Sequence, residues 1–299
     1  MAQSETENKI IETARELAWA YHDAGRPEAA IKTLRNAIDV VPQSVALYDC
    51  IGYIYCVLGW YEDVVTTVEE MVKNGGEHTA ITWNNLGVAY RELGRNQEAE
   101  EAYCRALQMD PQITEVRTNL ASLYHYDLKQ SERAIGLLQE GIETNPRDID
   151  LSGRISSIYI NLGQYGNAVK TFESMVANGG EHNTDTWSNL GVAYHRLKRY
   201  PEAEGAYQES LKMDPDSAYP YIGLARLEVG FSGEEGVDPL RAISLIKRAF
   251  DNARGEEADK DVPARVFTLL NQVTNGTSLS SAEQIMYEWS EASPSLGMR

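Results

Sequence analysis

Cysteine is scarce in this 299-residue chain: Cys50, Cys56 and Cys104 are an odd set with no CxxC pair. Cys50 and Cys56 stand six apart on one predicted helix, on different faces, so a disulfide framework or zinc site is excluded and free thiols in the reducing cytoplasm are expected. Long apolar runs are missing too. Nothing approaches the 18 or more apolar residues of a membrane span, so no membrane insertion is expected. The opening MAQSETENK lacks the apolar core of a secretory signal. Basic residues are few, 27 against 45 acidic ones, for a formal charge of −18. Such a chain has no basic stripe to neutralise phosphate, which argues against nucleic acid and anionic membrane surfaces. Catalytic signatures are absent: no GxSxG, HExxH, phosphate loop or dinucleotide fingerprint occurs. No enzyme activity, cofactor or metal is expected.

What the chain has is self-similarity. Residues 45–113 match 149–217 without a gap, identical at 36 of 69 positions, NGGEH (74–78 and 178–182) included. Each copy holds two units of about 34 residues, and a fixed period of that size marks a stacked array. Apolar residues three and four apart give each helix one buried face. Gly59, Gly94 and Gly163 fall where paired helices turn, where a left-handed backbone is needed. Small residues such as Gly52, Gly87 and Gly191 let paired helices approach. Pro42, Pro111, Pro146 and Pro215 follow second helices, which proline cannot continue.

One unit shows Trp83, Leu86, Gly87, Tyr90, Ala99, Tyr103, Ala106 and Pro111, and another Trp187, Leu190, Gly191, Tyr194, Ala203, Tyr207, Ser210 and Pro215. These residues resemble the tetratricopeptide repeat (TPR). The resemblance implies an all-α fold, a right-handed superhelix (an α-solenoid) of about seven helix pairs with a degenerate C-terminal capping pair. Its expected units are 11–44, 45–79, 80–113, 114–148, 149–183, 184–217 and 218–254, after a polar extension at 1–10. Units 45–79 and 149–183 replace the closing proline with Gly-Gly, and unit 114–148 carries one extra residue in its inner turn. Unit 218–254 has about five extra residues in GFSGEEGVD (230–238), followed by an acidic linker at 255–262, the capping pair at 263–296 and a tail at 297–299.

In such arrays the concave groove is lined by first helices, at positions 2, 5, 6, 9 and 12 of each unit. The peptide-binding candidates begin with Arg15, Trp19 and His22, then Asp49 and Tyr53. Asn84, Asn85 and Arg91 follow, then Asn119 and His125, and finally Arg154, Asn189 and His195. The set combines aromatic anchors, arginines suited to carboxylates, and amides. Asn85, Asn119 and Asn189 share position 6; a carboxamide there can pair with peptide backbone, and the arrangement resembles the asparagine ladders of some TPR superhelices. Solvated or tolerated polar residues are the plainer alternative for these amides and for the histidines. The carboxylate clamp of co-chaperones is not matched: Arg15 is followed by Trp19, and a start at Asn84 meets Val88, Asn119, Asp150 and Arg154. No EEVD-type clamp is expected.

The expected function is a non-enzymatic interaction module that binds a protein or peptide segment in its groove, as adaptor or scaffold. The alternative is a homo-oligomer in which a terminus of one chain fills the groove of the next. Six acids against Lys73 in 45–78 form a solvated outer face, or a patch that steers a basic partner. Among ten groove positions compared between the two long copies, only Asn85/Asn189 and Val88/Val192 agree. Specificity is therefore expected where the copies differ.

Overall fold

A computed structural model describes residues 5–230 and 239–252. Among them every regular element is helical, and the helices form hairpins in two compact units that divide between Thr144 and Asn145. In the first unit α1 (Glu5–Asp23) pairs with α2 (Pro27–Val40), and α3 (Val45–Leu58) with α4 (Tyr61–Lys73). There α5 (Ala80–Glu92) pairs with α6 (Asn96–Met109), and α7 (Thr114–Ser122) with α8 (Ser131–Thr144). The second unit holds α9 (Ile149–Asn161) with α10 (Tyr165–Ala177), α11 (Thr184–Arg196) with α12 (Tyr200–Met213), and α13 (Ala218–Gly230) with α14 (Pro239–Asn252). Each unit is an all-α solenoid of stacked helix pairs. The acidic linker, the capping pair and most of the GFSGEEGVD loop lie outside the described residues.

The polar extension is helical from Glu5, because Glu5 and Glu7 suit a first turn and Ile10 packs on the first core.

The same device closes nearly every hairpin. The carbonyl of the tyrosine at position 11 accepts the N–H of the residue five later: Tyr21 from Arg26 at 2.8 Å, Tyr90 from Arg95 at 2.8 Å and Tyr194 from Arg199 at 2.9 Å. The residue just before the donor is left-handed: Gly25, Gly94 and Lys198 have φ of 67°, 73° and 60°. Each arginine also lays its guanidinium over its tyrosine ring, at 5.2, 4.4 and 4.5 Å respectively. The cation–π staple is not visible in the sequence pattern, because a five-residue step is not a helical neighbour spacing.

The one-residue insertion in the fourth pair is absorbed inside a helix. Leu123–Asp127 forms a single π turn at the end of α7, with the Leu128 N–H on the Leu123 carbonyl at 2.9 Å. The turn bond then spans six residues, Gln130 to Tyr124 at 2.7 Å, and Arg133 takes over the stacking on Tyr124 at 4.0 Å.

Within hairpins, glycine at position 8 has a steric reason. A Cβ on Gly87 would meet Tyr103 Cε1 at 2.5 Å, and one on Gly191 would meet Tyr207 Cε1 at 2.4 Å. Both tyrosines are buried. The Gly-Gly ends are Schellman motifs: Gly75 donates to the Val72 carbonyl at 3.0 Å and Gly76 to Met71 at 3.0 Å. Gly179 and Gly180 repeat the pattern on Val176 and Met175. The histidines that follow pack on the next hairpin's tryptophan, each with ring centroids 4.3 Å apart: His78 on Trp83 and His182 on Trp187.

Candidate functional site: the first-helix face

First helices touch first helices within each unit: α1 with α3 and α3 with α5, then α9 with α11 and α11 with α13. Their shared face carries the groove candidates. The structure sorts those residues into groups that hold the repeats together and groups left facing outward.

Asp49 belongs to the first group. It is buried on α3, accepting from Thr82 Oγ1 at 2.6 Å and Thr79 Oγ1 at 2.8 Å. Thr79 and Thr82 form the capping box that starts α5. Burial pushes the Asp49 carboxyl above its ordinary range, against the lowering effect of the two hydroxyls and of Arg15. The duplicate position is Gly153, and the Asn183–Thr186 capping box stands there without a carboxylate.

The asparagines of the first unit are also engaged internally. Asn85 is buried and donates to the Asp49 backbone carbonyl at 3.2 Å. Asn84, also buried, donates to Glu115 Oε1 at 3.1 Å and accepts from Asn119 at 3.2 Å. Asn189, on α11, is half-buried. Glu115, at position 2 of the following repeat but outside the candidate set, receives Asn84 there.

Arg91 donates through Nε to Asp127 at 2.7 Å, so the arginine expected to meet a ligand carboxylate already holds one. His125 shares a 2.9 Å hydrogen bond with Ser131 Oγ and lies edge-on to Tyr126 at 4.5 Å. Burial and Lys129 lower its basicity. In the second unit Arg154 is half-buried on α9. His195 sits 5.9 Å from the Tyr200 ring, its basicity lowered by burial and by Arg196 and Arg226.

Trp19, His22 and Tyr53 come together as one cluster. Ring centroids are 5.2 Å apart for Trp19–Tyr53, 5.8 Å for Trp19–His22 and 6.4 Å for His22–Tyr53, with steep mutual angles. Tyr53 is 40% exposed. Arg15, one turn before Trp19, is exposed and interacts with Asp49 and the Cys50 thiol.

Cys50, Cys56 and Cys104 are free. Burial first, then Glu115, pushes the Cys56 thiol up to about 12, which leaves it protonated and unreactive at neutral pH. Among the described residues no group of three or more His, Cys, Asp or Glu could hold a metal ion, and no helix is long and apolar enough to cross a membrane.

Models of the tetratricopeptide repeat match residues 12–36, 46–112, 84–150, 149–175 and 184–217. The chain belongs to the tetratricopeptide repeat family. Among curated relatives of this TPR chain is tetratricopeptide repeat protein 8 of Caenorhabditis elegans, 25% identical over 206 residues. That match covers 67% of this chain and 40% of the relative, so the chain spans well under two thirds of the relative's length. Among solved structures, yeast Tom70 matches with a TM-score of 0.63 at 17% identity, over 94% of this chain and 57% of Tom70. A tetratricopeptide repeat protein from Parabacteroides merdae matches with a TM-score of 0.61 at 16% identity, over 87% of this chain and 99% of that one. These likenesses are of fold.

Proposed function

We propose that this TPR chain is a non-enzymatic interaction module, an adaptor or scaffold that receives a segment of a protein partner on its first-helix face and works in the cytoplasm. The observation that carries it is the Trp19–His22–Tyr53 cluster: large rings left partly open where most neighbouring polar groups are internally satisfied. Partly exposed aromatic side chains supply contact area at little entropic cost. The three free thiols suit a reducing compartment. Affinity capture from lysate with wild type and with Tyr53→Ala tests the reading: loss of the same captured proteins is expected, and identical capture sets would sink it.

One observation favours self-assembly as a second reading. On α5 the positions that face the preceding repeat, Thr82, Asn85, Leu86 and Ala89, are buried. Their counterparts on α1, Thr13, Glu16, Leu17 and Ala20, are exposed, Leu17 at 43%. Light scattering over a concentration series tests it: oligomers that Leu17→Lys dissolves support it, whereas a monomer at every concentration removes it.

A further inference from the structure

The aromatic cluster of the first two repeats has a geometry that selects a chemical class. Its three rings meet at interplanar angles of 63°, 77° and 81°. Three near-perpendicular faces can enclose a corner. The three centroids lie within 6.4 Å of one another, so a single cation seated beside them is within the roughly 6 Å reach of cation–π contact with more than one ring. The protein already uses such contacts internally, with Arg133 over Tyr124 at 4.0 Å and Arg95 over Tyr90 at 4.4 Å.

Charge points the same way. Residues 1–144 carry 23 acidic against 12 basic side chains. On α1 the exposed Glu16 and Asp23 stand three residues before and four after Trp19, one helical turn to either side. Of the candidate arginines, Arg91 is held by Asp127 at 2.7 Å, and the exposed Arg15 lies near the Asp49 carboxylate. An incoming carboxylate would meet net negative charge there, and a cation would meet ring faces flanked by acids.

We propose that Trp19, His22 and Tyr53 receive the guanidinium of an arginine carried by the partner segment, with Glu16 and Asp23 as its acidic rim. The proposal rests on the first-helix reading above and names the ligand chemistry at that site. It reverses the expectation that arginines of this face would hold a ligand's carboxylates.

The test uses the full-length chain, labelled with 15N, and follows the Trp19 indole N–H, assigned by loss of its signal in Trp19→Phe. N-acetyl-arginine methylamide is titrated against its neutral isostere N-acetyl-citrulline methylamide. A saturable Trp19 shift is expected with arginine, at least about three-fold tighter than with citrulline. Tyr53→Ala should abolish it and Tyr53→Phe should keep it; because Tyr53 is partly exposed, both variants fold. No saturable shift, equal shifts for the two probes, or arginine binding that survives Tyr53→Ala would each overturn the proposal. Should these arms fail while capture from lysate still depends on Tyr53, the cation reading falls and the first-helix reading stands.

Discussion

Asn119 donates its carboxamide to Asn84 Oδ1 at 3.2 Å, joining two neighbouring repeats side chain to side chain. Asn84 is buried and passes the chain on to Glu115. Removing it takes the partner from the half-buried Asn119 amide and from the exposed Glu115 carboxylate, which water can reach. Asn84→Ala is therefore expected to cost about 0.5–1.5 kcal/mol, read as a lower urea midpoint. A midpoint within about 0.3 kcal/mol of wild type would show the chain of amides to be incidental.

Glycine substitutions should split by location. Gly87→Ala drives a methyl into the buried Tyr103 ring and is expected to destabilise by about 1–3 kcal/mol. Gly205 lies in α12, where an added Cβ would meet nothing within 4 Å, and Gly205→Ala should stabilise by about 0.5–1 kcal/mol. Thermal melts of the two variants moving in the same direction would contradict the packing described.

Lys198 holds a left-handed backbone where Gly25, Gly59, Gly94 and Gly163 stand in other hairpins. That conformation costs a side-chain-bearing residue about 1–2 kcal/mol, partly offset by the greater freedom glycine has when unfolded. Lys198→Gly is expected to raise stability by about 0.5–1 kcal/mol, as measured by chemical denaturation.

Acid should weaken the fold around pH 6. Burial lowers the basicity of His78, His125, His182 and His195. Below the ordinary histidine range the unfolded chain binds more protons than the folded one, so stability falls as pH drops through that range and is regained above it. Asp49 acts oppositely: its raised folded value stabilises at low pH and loses that contribution as pH climbs through it. His182 Nδ1 is buried without a hydrogen-bond partner, its ring against Phe172 and Trp187. His182→Phe keeps the ring, so urea midpoints at pH 7.5 and 5.5 should lie closer together than in wild type.

The repeat architecture was legible because each period must bury its own face against a neighbour, which writes apolar and small residues at fixed positions. Trp19 and Tyr53 were legible together for the same reason, since 34 residues separate them and one period places them on adjacent helices. Which polar residues remain open was not legible. Asp49 and Asn84 are satisfied by Thr79, Thr82 and Glu115, partners 30 to 33 residues away that open the following repeat. Position alone marks both as facing a ligand, and only the registry of one repeat against the next reveals that they are occupied.

The π turn at Leu123–Asp127 turns a change of chain length into a rotation. Each residue added to or taken from a helix swings everything beyond it by about 100° around the axis. Deleting the extra residue would restore the five-residue step from Tyr124, yet it would carry Asp127 away from Arg91. The guanidinium thus released would stand free of its carboxylate on a face whose net charge is unchanged. A length change of one residue there is read out as the loss of a contact between repeats.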